Sequence, residues 1–173
     1  MIKIVLIGKV QKEKLIDIAL TARAFGASEI TVNLKEQRNK SHITKYFKEI
    51  NNDWGSNFKV SFTNNWMDLI KEHNNNYKTI YLTKYGDSIK KKEYVISTYK
   101  NILLIVSTTD DIKELYDMAD FNISLTTQPH TIISSIAVFL NMYYKGRELA
   151  MHFENAKYKI MPETHGIHIT KNH

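Results

Sequence analysis

Two hydrophobic periods alternate along this chain, and together they predict strands separated by helices. Met1 to Gly8 reads as a short apolar strand. Leu15, Ile16, Ala19, Leu20, Ala22 and Phe25 then recur at helical spacing up to Gly26, a helix-stopping residue. Ile30 to Leu34 restarts as a strand, a helix is expected over Ser41 to Asn52 with Ser41 as its N-cap, and Phe58 to Phe62 alternates as a strand. Asn64 or Asn65 can cap a helix carrying Trp66, Leu69 and Ile70, which the Asn74-Asn75-Asn76 turn should end. Thr79 to Leu82 reads as a buried strand, and Ile102 to Val106 is continuously apolar, as a parallel strand covered on both faces should be. Asp110 or Asp111 is the expected cap of the helix after it.

The clearest unit comes last. Phe121 to Leu125 alternates like a half-buried strand, Thr126 to His130 breaks the pattern, and Ile132, Ile133, Ile136, Ala137, Phe139 and Leu140 return at helical spacing. After Gly146 a mixed tail follows, with strand-like Tyr158 to Met161, so the tail should dock on the body. Strands alternating with helices predict an α/β fold whose sheet is largely parallel and flanked by helices. Taken alone, the pattern suggests an unknotted doubly wound sheet.

A length of 173 residues with 43% hydrophobic content suits one domain spanning 1–173, with an extension from about residue 147. There is no apolar run long enough to span a bilayer and no signal-peptide pattern, so a soluble, cytoplasmic protein without a membrane partner is expected. The absence of cysteine excludes disulfides, thiolate metal sites and cysteine nucleophiles. Seven histidines are dispersed, and only His165-x-x-His168 is closely spaced, in a segment where Ile167 and Ile169 suggest a strand, so no metal is expected. A net charge of +6 favours a polyanionic partner, with RNA the natural candidate.

Phosphate-loop, dinucleotide, hydrolase-elbow and zincin motifs are all missing. The remaining candidates are loops that follow strands: Thr83 to Asp87, Ser107 to Asp110, and Ser124 to His130. If the strands are neighbours, these loops converge at one sheet end and could hold a flat heterocycle through backbone groups. Arg23 stands out in an otherwise small and apolar helical stretch, where it either reaches a functional partner or binds its own helix-end carbonyls. Lys90 to Lys92 and Lys9, Lys12 and Lys14 could touch phosphate, or form solvated helix faces.

Longer segments carry a resemblance. Ala19 to Ala27 (ALTARAFGA), Asn64 to Trp66 (NNW), Leu82 to Gly86 (LTKYG), Glu114 to Leu125 (ELYDMADFNISL), Gln128 to His130 (QPH) and Ala156 to Pro162 (AKYKIMP) occur in the order found in the archaeal tRNA 2′-O-methyltransferases of the SPOUT superfamily, which modify the T-loop cytidine-56, and the chain closely resembles that family. The resemblance implies S-adenosylmethionine as cofactor, tRNA as partner, a C-terminal deep trefoil knot and a homodimer. By the same resemblance the cofactor loops are Leu82, Thr83, Tyr85 and Gly86; Val106, Ser107 and Thr108; and Leu125, Thr126, Thr127, Gln128 and His130. Arg23 becomes the implied catalytic residue, orienting the 2′-hydroxyl or a neighbouring phosphate and stabilising developing oxyanion charge.

The chain departs from the family pattern at named places. Ser107 and Thr126-Thr127 stand where the pattern carries glycine, and each adds a side chain at the implied cofactor wall. Leu6 to Val10 keeps only the glycine of an Arg-x-Gly-His-Arg pattern, and Ile132 replaces a glutamate. These departures leave open a diverged homologue that binds RNA with weak or no transfer, or methylation of another position.

Overall fold

The computed structural model describes residues 1–33, 40–109 and 112–172. Six strands, β1 (Ile2–Ile7), β2 (Glu29–Asn33), β3 (Lys59–Thr63), β4 (Lys78–Ser88), β5 (Ile102–Ser107) and β6 (Phe121–Ser124), form one parallel sheet in the order β3-β2-β1-β5-β4-β6. The connecting helices are α1 (Lys12–Ala24), α2 (Lys40–Trp54), α3 (Trp66–His73), α4 (Ile89–Thr98) and α5 (Lys113–Met118), and α6 (Ile132–Tyr144) follows β6. A 3₁₀ turn at Arg147–Ala150 leads to an antiparallel hairpin of β7 (Tyr158–Met161) and β8 (His168–Lys171).

The period of two along β1 and β5 divides the core. Ile2, Ile4 and Leu6 with Ile102, Leu104 and Val106 face buried residues of α1, α2, α4 and α6, including Ile18, Phe47, Ile96 and Phe139. Val5, Ile7, Leu103 and Ile105 face Ile70 of α3 and Leu115 of α5 on the other side. Two covered faces explain why Ile102 to Val106 carries no polar residue: all five are essentially buried.

Several local expectations are met and others corrected. Asn65 caps α3 by accepting from the Asp68 amide at 3.3 Å, and Thr131 caps α6 by accepting from the Ser134 amide at 3.2 Å. Ser41 is not the N-cap of its helix, because α2 already includes Lys40, and the helix continues to Trp54. Leu34, Asp110 and Asp111 lie outside the described residues. The segment Thr83 to Asp87, read as a loop, is part of the long β4, since the strand bulges after Leu82 and resumes pairing with β6 at Asp87. Among the described residues there is no group of three side chains able to hold a metal ion, and no helix is long and apolar enough to cross a membrane.

The tail packs against α2. The Trp54 and Tyr158 ring centroids are 5.9 Å apart, and Lys157 reaches Asp53 at 3.7 Å. Gly55 makes this approach possible with a left-handed φ of 75°, since a Cβ there would stand 2.7 Å from the Glu154 carbonyl oxygen.

Asp120 joins the starts of β4 and β6, accepting from the Thr79 amide at 2.8 Å, the Thr79 hydroxyl at 2.7 Å and Lys78 Nζ at 2.9 Å. Burial pushes its carboxyl pKa up, but the hydrogen bonds from Lys78 and Thr79 outweigh this and hold it below its ordinary value. A depressed folded-state pKa contributes stability that is fully present above the unfolded value, about 3.9, and is lost as pH falls through the folded value. Asp120→Asn should therefore lower stability near neutral pH by about 1 kcal/mol or more and flatten the acid limb of the stability curve, as read by urea denaturation between pH 7 and pH 3.

Candidate functional site

Parallel strands deliver all their C-terminal ends to one edge, and β4, β5 and β6 are placed so that their loops meet there. The cleft at this edge has a floor of Leu82, Val106, Ile123, Leu125 and Ile132, with Thr83, Ser107 and Ser135 among its polar groups. Lys84, Pro129 and His130 complete the lining, which contains no carboxylate. Its hollow of about 120 Å³ is small beside the several hundred typical of small-molecule clefts, so it suits one flat ring system with the rest of a ligand along the rim.

Of the residues expected at a cofactor site, Leu82, Thr83, Val106, Ser107, Leu125 and His130 line this cleft. Tyr85 and Gly86, in the bulged part of β4, and Thr108, Thr126, Thr127 and Gln128, in the neighbouring loops, do not line it. Their work is local. Thr83 Oγ1 shares a hydrogen bond with the Tyr116 hydroxyl at 2.9 Å and accepts from the Tyr85 amide at 3.3 Å. Thr108 donates its amide to the Ile7 carbonyl at 2.9 Å, and Thr126 Oγ1 accepts from the Gln128 amide at 3.3 Å. His130 Nδ1 donates to the Gln128 carbonyl at 2.8 Å, which leaves Nε2 without a proton in the neutral ring.

The two glycine replacements are accommodated by these loops. Ser107 Oγ accepts from the Thr109 amide at 3.2 Å, and Thr126 carries its side chain toward its own loop while its carbonyl accepts from Ser124 Oγ at 2.9 Å. The sequence reading missed Ile123, Ile132 and Ser135 as lining residues, while Lys84 and Pro129 fall inside the expected loops without having been singled out. Helical spacing held the signal for one of them, since Ser135 falls three residues after Ile132 and therefore on its face.

Arg23 lies at the opposite end of the sheet. Helix α1 begins beyond Gly8 and runs back to Ala24, close to the turn where Ser28 donates its amide to the Ile2 carbonyl at 2.8 Å. Six-residue strands put this end about 20 Å from the cleft. The side chain does not bind its own helix carbonyls, and little of it reaches solvent: Arg23 is 7% exposed, Nε donates to Asn51 Oδ1 at 3.1 Å, and a terminal nitrogen donates to the Gly55 carbonyl. Its guanidinium carbon sits 4.9 Å from the Phe153 ring centroid, and Asn51 is fixed in turn by donating to the Phe58 carbonyl at 2.8 Å. Burial lowers the guanidinium pKa from its usual value, yet an arginine stays protonated.

Comparison with known proteins places these features together. Residues 54–170 match the tRNA ribose 2′-O-methyltransferase family, aTrm56. A tRNA (cytidine(56)-2′-O)-methyltransferase of Thermococcus kodakarensis is 33% identical over 86% of this chain and 83% of its own length. The enzyme of the same name from Methanocaldococcus jannaschii is 35% identical with the same coverage. Among solved structures, the SpoU methyltransferase AviRb from Streptomyces viridochromogenes, in complex with the cofactor AdoMet, superposes with a TM-score of 0.59 at 12% identity. That match covers 84% of this chain, which spans 57% of the AviRb chain, and it establishes likeness of fold.

The buried setting of Arg23 changes what its removal should do. Arg23→Ala strands the Gly55 carbonyl and the Asn51 amide oxygen and empties space beside Phe153, so it should cost about 1 to 3 kcal/mol in guanidinium denaturation. An arginine held only at a helix surface would cost a few tenths.

Proposed function

This chain belongs to the tRNA ribose 2′-O-methyltransferase family, and on that premise we propose that it transfers a methyl group from S-adenosylmethionine to the 2′-hydroxyl of cytidine 56 in tRNA. The carrying observation is the agreement between family membership over most of the chain and a cleft, apolar below and polar above, at the converging ends of β4, β5 and β6. The substrate locates the activity in the cytoplasm.

The lining fits the cofactor. Leu82, Val106, Ile123, Leu125 and Ile132 offer an apolar bed for adenine, and the strand-end loops offer backbone groups for its ring edge and for ribose. With no lining carboxylate to pair with the sulfonium, and Lys84 as the charged side chain of the lining, recognition falls mainly to these apolar and backbone groups. When bound, S-adenosylmethionine supplies a sulfonium methyl that the ribose 2′-oxygen takes in line as the carbon–sulfur bond breaks and the hydroxyl proton is released. In this reading Leu82, Thr83, Val106, Ser107, Leu125 and His130 form the wall, and Tyr85, Gly86, Thr108, Thr126, Thr127 and Gln128 hold the loops in shape. The hydrogen bonds that draw Ser107 and Thr126 onto their own loops favour an active enzyme over a diverged RNA-binding homologue.

By the family resemblance Arg23 is the proposed catalytic group, supplying a fixed positive charge for the developing 2′-oxyanion or an adjacent phosphate. Its distance from the cleft of its own chain supports a homodimer in which the arginine of one protomer serves the cleft of the other. A trefoil knot formed as the chain passes from β6 to α6 behind the bulged end of β4 is supported by the double pairing of Ile123, with Leu82 before the bulge and Asp87 after it. We read 1–173 as one domain, with the segment from about 147 as its extension.

Methyl transfer from labelled cofactor to unmodified tRNA transcripts, with the product mapped, tests this reading. The expected product is 2′-O-methylcytidine at position 56, and Arg23→Ala should reduce the rate about 10²- to 10³-fold at a temperature where circular dichroism shows the variant folded. An unlabelled transcript would favour the RNA-binding alternative. Transfer by Arg23→Ala at the parent rate would remove Arg23 from the chemistry.

A further inference from the structure

The end of the sheet away from the cleft carries a second recess. Three hollows of about 440, 550 and 530 Å³ adjoin one another where the end of α2 meets the tail. The first two share Asn52, Ser56 and Asn57, and the last two share His152, Phe153, Glu154 and Asn155, so they form one continuous groove. It runs from Lys48 and Lys59 at one end to Trp54 and Tyr158 at the other, with Arg23 in its floor.

The composition of this groove is specific. Its lining carries the cations Lys48, Lys59, Arg23 and Lys159 against one carboxylate, Glu154. The indole of Trp54 and the phenol of Tyr158 lie 5.9 Å apart at 50°, a tilted wedge in ring contact, with Lys157 Nζ 4.9 Å from the Tyr158 centroid. Between the cationic and aromatic ends lie the side-chain amides of Asn52, Asn57 and Asn155, which both donate and accept. Ser56 and Asn155 adopt left-handed φ angles of 87° and 59°, which turn the two walls of the groove sharply.

We propose that this groove binds a single-stranded segment of the RNA substrate, with a base stacked on Trp54 at the Tyr158 wedge, neighbouring base edges read by the asparagine amides, and the backbone followed by Lys48, Lys59 and Lys159. Cations alone would suit any polyanion, but aromatic rings beside side-chain amides suit bases that have left their stack, which single strands and loops provide and duplexes do not. A protein partner would have no need of this cationic excess. The inference rests on tRNA as substrate and adds a contact about one strand length from the methyl-transfer cleft of the same chain.

Trp66 lies on α3, on the opposite sheet face, so Trp66→Phe leaves Trp54 as the single indole reporter. In that variant, unmodified tRNA transcript should quench Trp54 emission saturably, and Tyr158→Ala with Lys159→Ala should weaken tRNA binding about ten-fold or more while leaving S-adenosylmethionine binding unchanged. Methylation and tRNA binding without any change in Trp54 emission would overturn the groove and leave the methyltransferase reading standing. Emission that follows protein concentration and stays unresponsive to RNA would mean that dimer formation closes the groove to RNA, and would also overturn it. Absence of both tRNA binding and methylation in the unsubstituted protein, with folding intact, would overturn the groove and the methyltransferase reading together.

Discussion

The close crossing of the bulged part of β4 over β6 constrains everything at the cleft. A Cβ on Gly86 would stand 2.4 Å from the carbonyl carbon and oxygen of Asn122 and 2.5 Å from the Ile123 amide nitrogen, so only a hydrogen atom fits there. This contact lets β4 bulge after Leu82 and return to pair with Ile123 through Asp87. Thr83 and Lys84 are thereby raised beside Ile123 and Leu125, and the loop after β6 is carried over Val106 and Ser107. The cleft follows from backbone proximity and owes little to any charged side chain. A wall with no carboxylate and Lys84 as its one charged residue type suits a ligand recognised mainly by its shape and ring edges.

The other end of the sheet is organised by charge and aromatic rings. Arg23 ties three segments that are distant in sequence, α1, the Gly55 turn and the tail at Phe153, and each contact depends on the others. Gly55 admits the tail, Asn51 orients the guanidinium, and Phe153 covers its face. A guanidinium held on several sides is preorganised, and preorganised donors stabilise developing charge without reorganisation during reaction. The same fixation makes Arg23 important for folding, so activity and stability have to be measured separately for any variant at this position.

Periodicity revealed most of the frame. The unbroken apolar run from Ile102 to Val106 identified a central strand, Asn65 carried a helix cap in its side chain, and the alternation at Phe121 to Leu125 identified the strand from which the cleft is built. The bulged continuation of β4 was not legible, because Tyr85-Gly86-Asp87 has the composition of a turn and only the approach of β6 makes it a strand. Arg23 was conspicuous by its apolar neighbours, but its partners lie 28 and 32 residues away, beyond the range of any local pattern. The cleft was half legible: the loops could be named from their positions after strands, whereas Ile123 and Ser135 enter it only through the way β6 and α6 pack. The chemistry itself became readable through family resemblance, since no short motif in the chain encodes methyl transfer.

The proposed account divides one active site between two chains, and subunit complementation tests that division most directly. One variant, Arg23→Ala, lacks the arginine, and a second, Ser107→Trp, fills the cleft. Each should transfer methyl groups poorly alone. After co-refolding, mixed dimers contain one site with both an intact cleft and an intact Arg23, so the account predicts that labelled methyl transfer to tRNA rises well above either parent, toward half the wild-type rate per mixed dimer. A mixture no more active than its parents, with mixed dimers verified by tagged co-purification, would contradict it.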